Sequence, residues 1–282
     1  MSPKVVFSDI DGTIIDIFTR EYGKSKQLVK KLKELSIPIV LCSSKTWAEQ
    51  EVIRKDLGIE GEPFIVENGG AVVIPEGYFD LSDCYLQRHT SIRVVDGYVA
   101  LELGKHSLKI RNMLQDIRRR TGIAFEGVSD VSIEQLAKIV GMTYEEAERM
   151  SMREYSETIL QIDKTYKLRF EQLLNLEGLQ AIHGGRYFDV TAGNDKGKAV
   201  TLLRDLYQKK NEKLGGNTIF IGIGDSANDM PMLKATDLAI LVQKYDGAWA
   251  AIDSNIPGVI KVEGIGPAGW ENAIVNIVLD KA

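Results

Sequence analysis

Phe7-Ser8-Asp9-Ile10-Asp11-Gly12-Thr13, opened by the apolar run Val5-Val6-Phe7, sets two carboxylates two residues apart where a strand gives way to a glycine-containing loop. Residues two apart on a strand share a face, so both acids can address one reacting centre. An ordinary surface Asp-Gly turn has the same local sequence. What separates the two is whether the rest of the chain supplies a metal-binding acid, a phosphate-binding hydroxyl and a balancing cation.

Outward from that stretch, Lys24 to Leu35 carries Leu28, Val29, Leu32 and Leu35 at helical spacing, and Pro38-Ile39-Val40-Leu41-Cys42 reads as a buried strand. The strand ends at Ser43-Ser44-Lys45-Thr46. Thr46 with Glu49 forms a capping-box pattern for a helix through Ala48, Val52, Ile53 and Leu57, closed by Gly58. Strand and helix in alternation predict a parallel sheet with right-handed crossovers, and ligands gather at the carboxyl ends of such strands. Asp9 and Ser43 both belong there. Phe64-Ile65-Val66, the turn Glu67-Asn68-Gly69-Gly70 and Ala71-Val72-Val73-Ile74 read as a strand pair.

From about Cys84 the rhythm changes. Strand material around Asp96-Gly97 is followed by helices over Lys105 to Arg120 and Val131 to Val140, and Thr143-Tyr144-Glu145-Glu146 caps a third helix. Strands follow over Thr158 to Ile162, Leu179 to Ile182 and Tyr187 to Val190, the last two joined through His183-Gly184-Gly185-Arg186. The alternating rhythm resumes at Asp195, with a helix over Lys198 to Tyr207, a buried strand Thr218 to Ile223, strands Leu238 to Val242 and Val259 to Val262, and a terminal helix Gly269 to Leu279. The expected architecture is α/β: a parallel, Rossmann-like sheet core built from residues 1–83 and 192–282, interrupted by an α+β module over 84–191.

At 282 residues the chain suits one large or two moderate domains, and 44% hydrophobic with 27% charged residues is the composition of a soluble globular protein. A net charge of -5 argues against nucleic acid as a partner, and Arg118-Arg119-Arg120 reads as one turn of a solvated helix. The two cysteines, Cys42 and Cys84, have neither metal-ligand spacing nor the density of a disulfide framework. With no signal-peptide pattern and no apolar run able to span a bilayer, the expectation is a cytoplasmic protein with no membrane partner, a monomer or homodimer.

Three predicted strand ends now converge, carrying Asp9 with Asp11, Ser43, and Asp225 with Asp229. Clustered carboxylates repel one another, so the site calls for a hard cation, and oxygen ligands of this kind suit magnesium. Asp229 singly also reads as the start of the helix before Pro231. Lys196 or Lys198 supplies a second cation from the start of a helix, and Ser43 with the N–H groups after it can hold phosphate oxygens.

In these residues the chain resembles the haloacid dehalogenase superfamily of phosphotransferases. Asp9-Ile10-Asp11-Gly12-Thr13 looks like its first motif, Ser43 its second, Lys196 before Gly197 its third, and Gly224-Asp225-Ser226-Ala227-Asn228-Asp229 its fourth. A cap inserted between the second and third motifs is its type II arrangement, and the α+β content looks like the IIB (C2B) subclass. The resemblance implies that Asp9 attacks phosphorus and forms an aspartyl-phosphate. It implies that Asp11 protonates the leaving alkoxide and then deprotonates water, for which a raised pKa is expected. It implies, too, that magnesium is held by Asp9, the backbone carbonyl of Asp11 and Asp225, with Asp229 in support, and that Ser43 and Lys196 hold the transferring oxygens.

Further segments are similar to the mannosyl-3-phosphoglycerate phosphatases: Ser43-Ser44-Lys45-Thr46 with Ala48-Glu49-Gln50, Phe64 to Gly70, Asp130-Val131-Ser132 with Glu134, Glu145-Glu146-Ala147, Arg153-Glu154-Tyr155 and Gly184-Gly185-Arg186. Trp47 stands where that family is expected to have a basic residue, and Asp189 where it often has histidine. The implied substrate is a phosphorylated sugar-glycerate. Arg153 and Arg186 are candidates for its carboxylate, Gly184 and Gly185 for close backbone approach, and Thr13, Ser44, Lys45, Glu67 and Asn68 for further substrate contacts. Another sugar-phosphate phosphatase, such as one for glucosyl-3-phosphoglycerate, or a sugar phosphomutase with the same cap is the rival enzyme.

Overall fold

Lys4–Ser8 forms β1, a strand buried along its whole length, as Val5-Val6-Phe7 requires of a strand covered on both faces. The computed structural model describes residues 2–82, 91–212, 217–252 and 256–279. After β1 come α1 (Ser25–Glu34), β2 (Ile39–Cys42), α2 (Trp47–Leu57), β3 (Phe64–Val66) and β4 (Ala71–Pro75). The capping box of α2 forms as its sequence predicts: Glu49 N donates to Thr46 Oγ1 at 3.1 Å, and Thr46 N donates to the Glu49 carboxylate at 2.9 Å. Gly58 ends that helix in the left-handed conformation.

The chain continues through β5 (Ser91–Val95), β6 (Tyr98–Glu102), α3 (Ser107–Thr121), β7 (Phe125–Gly127), α4 (Ile133–Val140), α5 (Tyr144–Ser151), β8 (Glu157–Ile162), α6 (Lys167–Leu176), β9 (Gln180–His183) and β10 (Phe188–Thr191). It then returns through α7 (Lys196–Glu212), β11 (Ile219–Gly224), α8 (Met230–Lys234), β12 (Leu238–Gln243), β13 (Ile260–Ile265) and α9 (Pro267–Ala273), which runs into a π-helical segment, Ile274–Leu279.

Among the described residues, nine strands form the large sheet in the order β13-β12-β11-β1-β2-β3-β4-β6-β5. Pairing is parallel from β13 to β3 and antiparallel beyond it. Alternation along β1 sends Val6 into one apolar layer with Leu41, Ile221 and Trp270, and Val5 and Phe7 into the other with Val40, Ala199 and Leu203. Because β1 lies between β2 and β11, the connections leaving these strands diverge to opposite sides and open a crevice at their carboxyl ends.

A second, antiparallel sheet, β7-β8-β10-β9, packs with α3 and α6 around Ile110, Leu114, Phe170 and Val190. The short helices α4 and α5 enclose a separate cluster of Val128, Leu136, Ala147 and Met150. The module expected over 84–191 needs correction at its start. Residues 91–102 form the β5–β6 hairpin on the edge of the large sheet, because Ala100 and Leu101 are buried against β4, where Val72 faces Leu101. The part of the 84–191 boundary that falls on residues 83–90, with Cys84, lies outside the described residues. Helix α6 was not anticipated from sequence, although Phe170 and Leu174 carry the helical spacing that buries it.

Candidate active site

The ends of β1 and β11 set the floor of the crevice. Asp9 leaves β1 with its N–H donated to Ile223 O at 2.9 Å, and Asp225 follows Gly224 at the end of β11. Gly12 turns the chain with φ +78° and must be glycine: a Cβ there would lie 2.8 Å from the Asp225 carboxylate. Asp229 folds back over the end of β11, where its Oδ2 accepts from Asp225 N and Ser226 N, each at 3.0 Å. A Cβ on Gly224 would lie 2.5 Å from that of Asp229, so the fourth motif packs only around glycine.

These turns bring carboxylate oxygens of Asp9, Asp225 and Asp229, all buried, within 4.8 Å of one another. Lys196, at the start of α7 and 1% exposed, donates to Asp9 Oδ1 and Asp229 Oδ1 at 2.6 Å each. Lys198 instead reaches the carbonyl of Gly193, and so the choice between the two lysines falls to Lys196. Burial, then the charge of Asp229, push the Asp9 carboxyl up to about 7 against the opposing charge of Lys196. Burial and the charges of Asp229 and Asp9 push Asp225 up to about 8. Burial disfavours the Lys196 ammonium, but the charges of Asp229 and Asp9 outweigh it and hold the lysine above its ordinary value. A single lysine against three buried carboxylates leaves room and charge for a hard divalent cation, and an all-oxygen donor set fits magnesium.

Asp11 departs from expectation in its proton affinity, not in its place. Its carboxylate does not join the acidic cluster but lies 2.9 Å from Lys45 Nζ and 2.5 Å from Arg20 Nη1. Burial alone would raise its pKa, yet Lys45 and then Arg20 outweigh it and hold the carboxyl below its ordinary value, opposite to the raised value expected. Arg20 belongs to no motif, and only the folded loop after Asp16 brings it to Asp11.

Ser43 is buried at the carboxyl end of β2, its Oγ accepting from Lys45 N at 3.3 Å. Together with Asp9, Asp11, Ser44, Lys45 and Asn68 it lines a cavity of about 330 Å³ whose wall also includes Arg153, Gly184, Gly185, Arg186 and Asp189. Thr13 faces Asp225 instead, its hydroxyl 3.4 Å from Oδ1. Glu67 is not in the cavity wall: its carboxylate accepts from Glu154 N at 2.8 Å, Tyr155 N at 3.0 Å and the Ser156 hydroxyl. Asn68 reaches Asp189 Oδ2 at 2.9 Å and Asn228 at 3.2 Å, joining the two sheets at the cavity. Asp189 also accepts from Thr158 at 2.5 Å. Trp47 packs edge-on against Phe64 and Tyr98, away from the cavity. Nothing in the sequence points to Ser156 and Thr158 beyond their nearness to Arg153.

A family model of haloacid dehalogenase-like hydrolases matches residues 6–248. The chain is 38% identical over 276 residues to a glucosyl-3-phosphoglycerate/mannosyl-3-phosphoglycerate phosphatase of Methanococcoides burtonii, covering 97% of each chain. It is 34% identical over 259 residues to a mannosyl-3-phosphoglycerate phosphatase of Pyrococcus horikoshii, covering 92% of this chain and 98% of that one. Among solved structures, a haloacid dehalogenase-like hydrolase from Bacteroides thetaiotaomicron superposes with a TM-score of 0.63 at 15% identity, over 99% of this chain and 100% of the other. The sucrose-phosphatase of Synechocystis, solved with sucrose and phosphate, gives 0.58 at 15% identity over 98% of each. At such identities the structural matches speak for the fold.

Proposed function

This chain belongs to the haloacid dehalogenase-like hydrolases, and from that membership and its named relatives we propose that it is a magnesium-dependent phosphatase that hydrolyses mannosyl-3-phosphoglycerate to mannosylglycerate and phosphate. One observation carries the choice of substrate: a single cavity joins the Asp9 and Ser43 floor to a wall bearing Arg153 and Arg186. A phosphate at the floor and a carboxylate at the wall then sit on one molecule. Glucosyl-3-phosphoglycerate is a second substrate, favoured by the name of the Methanococcoides relative.

Lys196 holds Asp9 through Oδ1 and leaves Oδ2 to attack phosphorus in line. The ester P–O bond breaks, its electron pair goes to the leaving glycerate oxygen, and Asp11 supplies the proton. Water then attacks the aspartyl-phosphate, Asp11 takes the water's proton, and inorganic phosphate leaves with Asp9 restored. The pairing of Asp11 with Lys45 and Arg20 favours its carboxylate, the form the second step needs, so the first step calls for that pairing to loosen. Ser43 and Lys196 hold phosphoryl oxygens. Asp9, Asp225 and Asp229 would hold magnesium, whose charge, when bound, would offset the repulsion between the nucleophile and the phosphate dianion.

The test is phosphate release with magnesium from mannosyl-3-phosphoglycerate, glucosyl-3-phosphoglycerate and hexose phosphates in parallel. The glycerate esters are expected to dominate, Asp9→Ala to abolish release, and Asp11→Asn to keep metal-induced stabilisation while losing turnover. Comparable rates on every ester refute the substrate, and unchanged turnover in Asp9→Ala refutes the mechanism.

A further inference from the structure

Arg153 is 8% exposed and yet lines the cavity. Its Nη1 donates to Ser44 O at 3.3 Å and Ser156 Oγ at 2.9 Å, and lies 3.5 Å from Asp189 Oδ1. Among the described residues, the buried Nε has no partner and no hydrogen bond leaves Nη2. The edge left over, Nε with Nη2, is the face of a guanidinium that matches two coplanar oxygens. A buried donor without an acceptor costs free energy until a ligand or water satisfies it.

We propose that Glu67 and Ser156 are positioning residues that aim this free edge of Arg153 at the carboxylate of the leaving group. The proposal rests on the function argued above. It reassigns Glu67 from substrate contact to the support of another side chain.

The support is continuous. All three hydrogen bonds to the Glu67 carboxylate come from residues 154–156, the segment directly after Arg153. The Ser156 hydroxyl donates to Glu67 and accepts from Arg153, so its single proton and one of its lone pairs are both committed. That commitment fixes which way Nη1 points and, because the guanidinium is planar, where the opposite edge points.

Positioning matters here because net charge is not the attraction. Glu67 and Asp189 flank Arg153, and the oxygens of Asp189 are held by Thr158 and Asn68. With two acids beside one guanidinium, an incoming carboxylate is held by aimed N–H donors rather than by a surplus of positive charge. Arg186, exposed on the same wall, adds charge and lies over the ring of Tyr187. An uncharged leaving group has no use for the aimed edge.

The test compares Ser156→Ala with wild type on mannosyl-3-phosphoglycerate and on p-nitrophenyl phosphate, whose leaving group has no carboxylate. Glycerate and glycerol serve as inhibitors of p-nitrophenyl phosphate hydrolysis. Ser156→Ala removes the link to Arg153 and leaves both backbone donors on Glu67. KM for mannosyl-3-phosphoglycerate is expected to rise about tenfold with kcat nearly kept, as for a lost charge-assisted hydrogen bond. Inhibition by glycerate is expected to weaken by the same factor, with p-nitrophenyl phosphate kinetics and the melting temperature unchanged. Equal losses on both substrates, no change on either, or glycerate that inhibits wild type no better than glycerol overturns the positioning role. A wild type that ignores mannosyl-3-phosphoglycerate, yet is inhibited by glycerate in a Ser156-dependent way, refutes the substrate and upholds the positioning role.

Discussion

Lys196→Met removes the one cation, among the described residues, that touches both Asp9 and Asp229, at 2.6 Å each, from a site where the lysine side chain has no exposure. Methionine keeps most of the side-chain volume, so the loss is electrostatic rather than a cavity. Taking one partner from a buried ion pair leaves the remaining charge uncompensated, which costs about 3–5 kcal/mol. Here three carboxylates are left, but they have a way out, since Asp9 and Asp225 already hold protons up to about 7 and about 8. In the variant these acids take up protons at still higher pH. At about pH 5, where they are protonated, the loss should therefore shrink, and above about pH 8, where they must ionise, it should reach its full size. Urea denaturation of both proteins in EDTA at the two pH values measures the difference directly. A loss that is the same at both, or one below about 1 kcal/mol at the higher pH, as for an exposed pair, would refute the account.

The same acids set how the metal-free protein responds to pH. The folded-state pKa of Asp9 and of Asp225 lies above the ordinary 3.8, so the folded chain holds protons that the unfolded chain has released. Stability in EDTA should fall as pH rises from about 4 to about 8, and stabilisation by magnesium should grow across that window; melting curves that rise instead would contradict it. Gly69→Ala tests the turn that seats the crossing chain. Gly69 has φ +86°, and its Cβ would lie 2.1 Å from the Asp195 carbonyl oxygen. We expect a loss of about 3 kcal/mol in denaturant unfolding, against about 0.5 kcal/mol or less for Gly61→Ala, where nothing stands within 4 Å.

Legibility followed the range of the forces involved. The strands β1, β2, β11 and β12 were plain in short apolar runs, because burial on both faces leaves no polar positions to blur the pattern. The capping boxes at Thr46 and Thr143 were plain because both partners lie within one turn. The hairpin at 91–102 was misplaced because alternation states that a strand exists but not which sheet it joins. That choice is made by the contact of Leu101 with Val72. Glu67, an acid beside Asn68 at a strand end, looks available to a substrate in sequence. Its three partners lie 87 to 89 residues away in sequence.

The sequence by itself determined most of the order of elements, the acids at the ends of β1 and β11, the hydroxyl of Ser43 and a lysine at the start of α7, since each depends on residues close along the chain. Only the tertiary structure decided what the side chains face. It turned Asp11 away from the acidic cluster toward Lys45 and Arg20, drew Lys196 rather than Lys198 between Asp9 and Asp229, and left the buried Nε of Arg153 without a partner among the described residues. The reason is that Asp9 and Asp11 have the same chemistry and nearly the same place in sequence. Burial raises the pKa of both; at Asp9 the charge of Asp229 adds to that rise, while at Asp11 the charges of Lys45 and Arg20 outweigh it.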